Sequence, residues 1–252
     1  MDHIEIDEYH HLVSPIHQWD PRAKIVSILT LIFSVVLLYD LKLAILGLIF
    51  AVIILLISKI PLKFVMWHLR WVVLFILPFF LIMPFAILEG DITVNAEGFE
   101  YALLILVKAI SSVILIFPMI GTMRFNSTAK ALERLKIPNK IVQMIIFTYR
   151  YIFVFIDEFS DISRSLDSRG FRRRTDMHTI RTLGKAIGML FVKSYERSER
   201  VYTAMCSRGY TGNLKTFDKF EMMRNDWMKM FIVMGMAIGL HLLHFIYFME
   251  MI

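Results

Sequence analysis

Ile141-Val142-Gln143-Met144-Ile145-Ile146-Phe147-Thr148-Tyr149-Arg150-Tyr151-Ile152-Phe153-Val154-Phe155-Ile156-Asp157-Glu158-Phe159-Ser160-Asp161 has the look of a membrane span, and whether it is one decides the fold. Its apolar part, residues 141–156, is about 16 residues long, short of the roughly 20 that a helix needs to cross a bilayer. Arg150 stands in its middle, where an arginine costs at least roughly 2.5–3.5 kcal/mol in lipid. The periodicity also runs on unbroken into the charged sequence Asp157-Glu158-Phe159-Ser160-Asp161. A long helix half-submerged at the interface, apolar at one end and wet at the other, satisfies all three observations.

The rest of the chain supplies the membrane for that interface. Of its 252 residues 57% are hydrophobic, and the mean hydropathy is +0.61. Soluble domains sit near 45–50% apolar, so the excess belongs in lipid. The net charge of +6 is spread through the chain, with no basic patch on a soluble domain, and nucleic acid is not the expected partner. Cys206 is alone, which rules out an intramolecular disulfide. The first twenty residues are acidic and His-rich without an apolar h-region, so no cleavable signal peptide is expected.

Taken in order, Asp20-Pro21-Arg22 and Lys24 open a first span over Ile25–Tyr39. Asp40 and Lys42 interrupt it, and Leu43–Ile57 follows as the other arm of a tight hairpin. A short basic loop, Ser58–Lys63, leads to a third span over Val65–Leu88, whose Pro78 and Pro84 predict kinks. Glu89–Glu100 is an acidic loop without Lys or Arg, and Tyr101–Met123 is the fourth span. Arg124–Lys140 is a short basic helix with Asn126-Ser127 as its expected N-cap and Pro138 as its stop. His178–Cys206 is a second long amphipathic helix, with Leu183, Ile187, Leu190, Phe191 and Ser194 on one face. Trp227–Tyr247 is the last span.

Five spans place Arg22, Lys24, the 59–64 loop and the 124–226 block on one side, with the 89–100 loop opposite. By the positive-inside rule the N-terminus and the large block are then cytoplasmic in a multi-pass protein of the cell membrane. Six spans would put one of the two basic segments outside. The fold class expected is an all-α integral membrane protein of about five transmembrane helices plus a cytoplasmic block of two long amphipathic helices. Its divisions are 1–123, an N-terminal segment with four spans; 124–226, the cytoplasmic block; and 227–252, the last span.

Both long helices end in the same phrase, Ser168-Arg169-Gly170-Phe171 and Ser207-Arg208-Gly209-Tyr210. Capping alone accounts for either one, since Gly after a helix takes the left-handed C′ position and Arg complements the dipole. Two occurrences, each followed by an aromatic, also fit paired docking points. A small residue lets the end approach a partner, Arg offers a charged planar fork for carboxylates, and Phe171 or Tyr210 anchors it. Two equivalent ends suggest two equivalent receptor sites.

Several stretches now make a family resemblance: Leu12-Val13-Ser14-Pro15-Ile16-His17, Asp20-Pro21-Arg22-Ala23-Lys24, Thr148-Tyr149-Arg150-Tyr151-Ile152, Ser168-Arg169-Gly170-Phe171-Arg172 and the whole run Ser194–Tyr210. Over nearly its full length the chain resembles the transmembrane T component of energy-coupling factor (ECF) transporters, in the cobalt/nickel CbiQ-type branch. The resemblance implies that the two long helices are crossed coupling helices. It also implies that Arg169 and Arg208, with Ser168, Gly170, Ser207 and Gly209 beside them, enter grooves on two ABC-type ATPase subunits. The family more often has Ala before the Arg, where this chain has Ser twice. A separate substrate-capturing membrane subunit, the S component, would take the metal, so no cofactor or metal ligand is expected in this chain.

The remaining polar residues take bland readings beside sharper ones. His3, His10, His11 and His17 crowd the N-terminus, and His241 and His244 stand i, i+3 in the last span, without the further donors of a four-ligand site. Interhelical hydrogen bonding is the ordinary role for the latter pair. Lys108 inside the fourth span is either functional or snorkels to an interface. Glu196, Arg197, Glu199 and Arg200 fit pairing along a wet helix and are expected at the crossing of the two helices, with Arg150, Glu196 and Arg200 also as supporting residues of the docking site. No Walker A loop, His-Glu-x-x-His or Gly-x-Ser-x-Gly occurs, so ATP hydrolysis falls to the partners and no catalytic residue is assigned. The alternatives are a T component serving vitamins and, from another class, a membrane metalloenzyme using the histidines.

Overall fold

The computed structural model describes residues 14–88, 91–94, 96–172, 174–212 and 222–250. It divides into two compact units, Met1–Leu135 with Lys219–Ile252 and Lys136–Asp218. The first holds α1 (Pro21–Val36), α2 (Leu41–Ser58), α3 (Leu62–Ile82), β1 (Phe85–Leu88), β2 (Asp91–Val94), α4 (Ala96–Gly121), α5 (Phe125–Arg134) and, as the last helix of the chain, α8 (Arg224–Glu250). The second holds α6 (Asn139–Ser168) and α7 (Met177–Ser207).

Five helices of the first unit carry the apolar runs. Four of them, α2, α3, α4 and α8, are long and apolar enough to cross a membrane. The first run makes a helix of only 16 residues, which spans about 24 Å. α4 packs on α1, α2 and α3, while α1 also meets α5 and α8. Lipid gives little reason for two apolar helices to associate, so small side chains and interhelical hydrogen bonds carry the packing. Ala44, Ala51 and Ser27 are fully buried, and Ser34 Oγ donates to Ala237 O of α8 at 3.1 Å. A Cβ on Gly47 would stand 2.9 Å from Val35 Cγ2, so α2 approaches α1 over a missing side chain. Ile28, Leu31, Val35, Leu115 and Leu240 close the centre. Trp67, Trp71, Leu74 and Phe75 of α3 face outward, as lipid-facing residues should.

The stretch Asp20-Pro21-Arg22-Ala23-Lys24 organises the junction of α1, α4 and α8. Asp20 caps α1, accepting from the Arg22 N–H at 2.8 Å and holding the Arg22 guanidinium in an ion pair at 3.0 Å. Its own N–H donates to Asp226 Oδ1 at 3.4 Å, and Asp226 Oδ2 accepts from the Met223 N–H at 3.1 Å. Lys24 is fully buried, with Asp20 and Asp226 as the nearby negative charges. Its ammonium donates to Thr122 Oγ1 at 2.8 Å, and the Thr122 hydroxyl donates to Pro118 O at 2.6 Å.

Three sequence expectations change. The third span stops at Ile82, because Pro84 cannot continue a helix; Pro78 lies inside the helix, and Pro84 ends it. The segment after it pairs antiparallel with 91–94, Phe85 opposite Val94 and Leu88 opposite Asp91, so a two-stranded hairpin stands where an extended span and an acidic loop were expected. The short basic helix starts at Phe125 behind Arg124, which places Asn126 and Ser127 in its first turn rather than at its cap. Pro138 is the N-cap of α6 and not the stop of α5, which ends at Leu135 ahead of Lys136 in the left-handed conformation. α5 packs on α1 through Ala131, Leu132 and Leu135 against Ile25.

Thr122→Val keeps the shape of the side chain and removes the hydroxyl that the buried Lys24 ammonium depends on. It is expected to destabilise the purified protein by roughly 1–3 kcal/mol, read as a lower thermal midpoint in detergent; an unchanged midpoint contradicts the role given to this junction.

Candidate functional site

The second unit is the pair of long helices. Residues 141–161 lie within one uninterrupted helix of 30 residues, α6, which does not qualify as a span, and α7 has 31. Each is about 45 Å long. α7 starts on an Asp176 cap whose carboxylate accepts from the Thr179 N–H at 2.7 Å. The Thr179 hydroxyl and then this N–H hold that carboxyl below its ordinary value, so the charged cap is complete at neutral pH and fails only in acid.

The helices run antiparallel and meet through side chains. Glu158 of α6, mostly buried, receives Lys193 and Arg197 of α7, each at 3.4 Å. Phe147, Tyr151 and Phe155 stand one turn apart on α6 and face Ser194, Ser198, Val201 and Met205 across a cleft of about 260 Å³. Much of the apolar stripe on α7 stays uncovered, with Phe191 73% and Ile187 46% exposed.

The two helix ends have the same geometry, atom for atom. At the first, the Gly170 N–H bonds Asp167 O at 3.0 Å and the Phe171 N–H bonds Leu166 O at 3.1 Å. At the second, the Gly209 N–H bonds Cys206 O at 3.0 Å and the Tyr210 N–H bonds Met205 O at 3.0 Å. This is the Schellman arrangement, with glycine in the left-handed region at C′. Gly170 has φ +79° and Gly209 φ +81°, and a Cβ on either would meet nothing within 4 Å, so backbone conformation alone calls for glycine. Ser168 Oγ donates to Arg164 O at 2.9 Å and Ser207 Oγ to Thr203 O at 3.0 Å, turning both hydroxyls back onto their helices.

Arg169 and Arg208 are therefore each the C-cap residue, exposed and presented on a rigid turn. Among the described residues neither guanidinium has a hydrogen bond or an ion pair. Their donor forks face solvent. Phe171 and Tyr210 are both half-buried behind them, Phe171 with its ring centroid 6.4 Å from that of His178 and Tyr210 lining the cleft.

Of the residues expected at the crossing, Arg197 reaches α6, while Glu196 and Arg200 do not. Arg150 is exposed in the middle of α6, and Arg200 pairs with Glu196 at 3.8 Å on the open face of α7. Arg197, one position along, faces α6 instead, because only its position points inward. Two contributors were missed: Glu158, the carboxylate between Lys193 and Arg197, and Gln143, the lone polar side chain in the run from Ile141 to Ile146. For Gln143 the available signal was a single polar group in an otherwise apolar stretch; for Glu158 there was none.

The other polar candidates sit apart in the first unit. His244 Nδ1 lies 2.9 Å from Asp40 Oδ2, His17 bonds Ser14, and the Lys108 ammonium lies over the Tyr39 ring at 5.4 Å. Among the described residues no three His, Cys, Asp or Glu come together as metal ligands; His3, His10 and His11 lie outside them.

A profile of the cobalt transport protein family CbiQ matches residues 13–217, which takes in both arginine ends. The chain belongs to the CbiQ family. Similar to it are an uncharacterized protein of Methanocaldococcus jannaschii, 31% identical over 143 residues that make up 56% of this chain and 49% of that protein, and a putative fused cobalt transport protein CbiMQ of Methanocorpusculum labreanum, 26% identical over 119 residues, 47% and 20%. The energy-coupling factor transporter transmembrane protein EcfT of Bacillus subtilis is 25% identical over 230 residues, covering 84% of this chain and 86% of its own. The match spans about half the length of the first of these relatives. Several apolar helices and transporter relatives make this CbiQ-family chain a multi-pass membrane protein.

Gly170→Ala and Gly209→Ala each force a Cβ into the left-handed region with no steric contact to add. Each is expected to cost about 1 kcal/mol and to speed amide exchange at the last turn of its own helix only; unchanged exchange would show that the caps do not hold the arginines.

Proposed function

We propose that the chain is the T component of an ATP-driven ECF-type importer of cobalt or nickel ions. The observation that carries this is the pair of arginine caps with the same hydrogen-bond pattern, exposed and at the ends of two joined helices, in a chain whose family is described by cobalt transport. In this reading the second unit is the cytoplasmic coupling domain. Arg169 and Arg208 dock on two ABC-type ATPase subunits, their forks matched to acidic grooves.

The chain hydrolyses nothing itself. ATP-driven closure of the partner subunits moves both arginine ends, and the helices carry the movement as rigid bodies. Because α6 and α7 are cross-tied at Glu158, they cannot slide independently, and a small closure becomes a reorientation of the whole pair. The membrane helices then tilt or release the S component, which holds the ion as cargo. EcfT relatives matching along most of the chain support the energy-coupling role, and the CbiQ description supports cobalt.

The test is co-purification. A double Arg169→Ala, Arg208→Ala variant, with both glycine caps intact, is expected to lose most of the ATPase that the unaltered chain retains. A double variant that still carries active, coupled ATPase subunits overturns the proposal.

A further inference from the structure

The two ends share their caps but not their bracing. Beyond Arg208, Tyr210 and Gly212, the latter with φ +91°, lie against the start of α6. There Gln143, 7% exposed, is hydrogen-bonded through both the oxygen and the nitrogen of its amide. Its Oε1 accepts from the Tyr210 hydroxyl, and its Nε2 donates to Gly212 O at 2.7 Å and to Asn139 Oδ1 at 3.2 Å. A buried amide with all its groups satisfied holds its neighbours in one arrangement. Arg208 is thus fastened on both flanks, by the cap within α7 and by the clasp to α6.

The first end has no equivalent among the described residues. Phe171 has no hydroxyl to donate, and its ring lies against that of His178 at the start of α7. The next tie among the described residues is the Arg174 N–H to Thr179 Oγ1 at 3.2 Å, five residues past Arg169. The change from Phe to Tyr between two otherwise matching phrases is what makes the clasp possible.

Resting on the docking role proposed above, we infer that Gln143 and Tyr210 are positioning residues for Arg208, so that the two docking ends are unequal: Arg208 is a pre-set anchor and Arg169 settles on its ATPase subunit after contact. A pre-organised group loses less freedom on binding and contributes more affinity. Tyr210→Phe removes the hydroxyl and keeps the ring against the cleft, so it should weaken ATPase capture about threefold to tenfold while the fold persists. Gln143→Leu, which removes the acceptor instead, should do the same.

The experiment is a pair of double-mutant cycles on the full-length purified chain, titrated with the ABC-type ATPase subunits proposed as its partners. Combined with Arg208→Ala, Tyr210→Phe should add little further loss, since the residue it positions is gone; combined with Arg169→Ala, the losses should multiply. Gln143→Leu should repeat both results, which separates positioning from general damage. Multiplicative losses with both arginines, equal coupling to both, or an inert Tyr210→Phe would each overturn the inference while leaving the docking role standing. If neither arginine affects capture, the docking role itself fails and this inference with it.

Discussion

Glu158 meeting Lys193 and Arg197 is the contact on which the second unit depends. Two helices of about 45 Å have their ends free to wander unless something ties them near the middle. One largely buried carboxylate between two cations does this, and the aromatic turns of α6 against α7 extend the contact toward Tyr210. The ion pairs alone are modest, because Lys193 and Arg197 remain partly in water. Their value is registry: they set which residue of α7 lies opposite which residue of α6, and so where the two arginine caps stand.

The first unit solves a different problem with the same economy of polar groups. Its helices associate where side chains are small or where a hydroxyl or a charge can be satisfied between them, as at Ser34 with Ala237 O and at Lys24 with Thr122. A buried ammonium would be unfavourable by itself; next to Asp20 and Asp226 it joins three helices that lipid would not hold together. The Asp20-Pro21-Arg22-Ala23-Lys24 stretch thus serves capping, pairing and packing within five residues.

Much of this was legible in the sequence because it depends on local rules. The rejection of residues 141–156 as a span rested on length, on Arg150 and on the charged continuation, and α6 is a single helix across that stretch. The repeated Ser-Arg-Gly phrases pointed to helix ends, and the caps are where glycine after arginine requires them. What escaped depends on distant partners. Glu158 reads as one of several acids on a wet helix until α7 lies beside it. Gln143 looks like a tolerated polar residue until Tyr210 and Gly212 return to it. The hairpin after Pro84 was hidden because apolar residues up to Leu88 continue a span by composition, while proline had already ended the helix.

The most direct measurement of the coupling account is cobalt(II) uptake in cells expressing this chain with the ATPase and S-component subunits proposed for it, unaltered and as Arg208→Glu. Charge reversal keeps a long side chain on an intact cap and sets it against the acidic groove expected on the ATPase. The account predicts that uptake collapses while the protein stays in the membrane at its usual level. Uptake indifferent to Arg208→Glu would contradict it, reducing the paired phrases to helix caps.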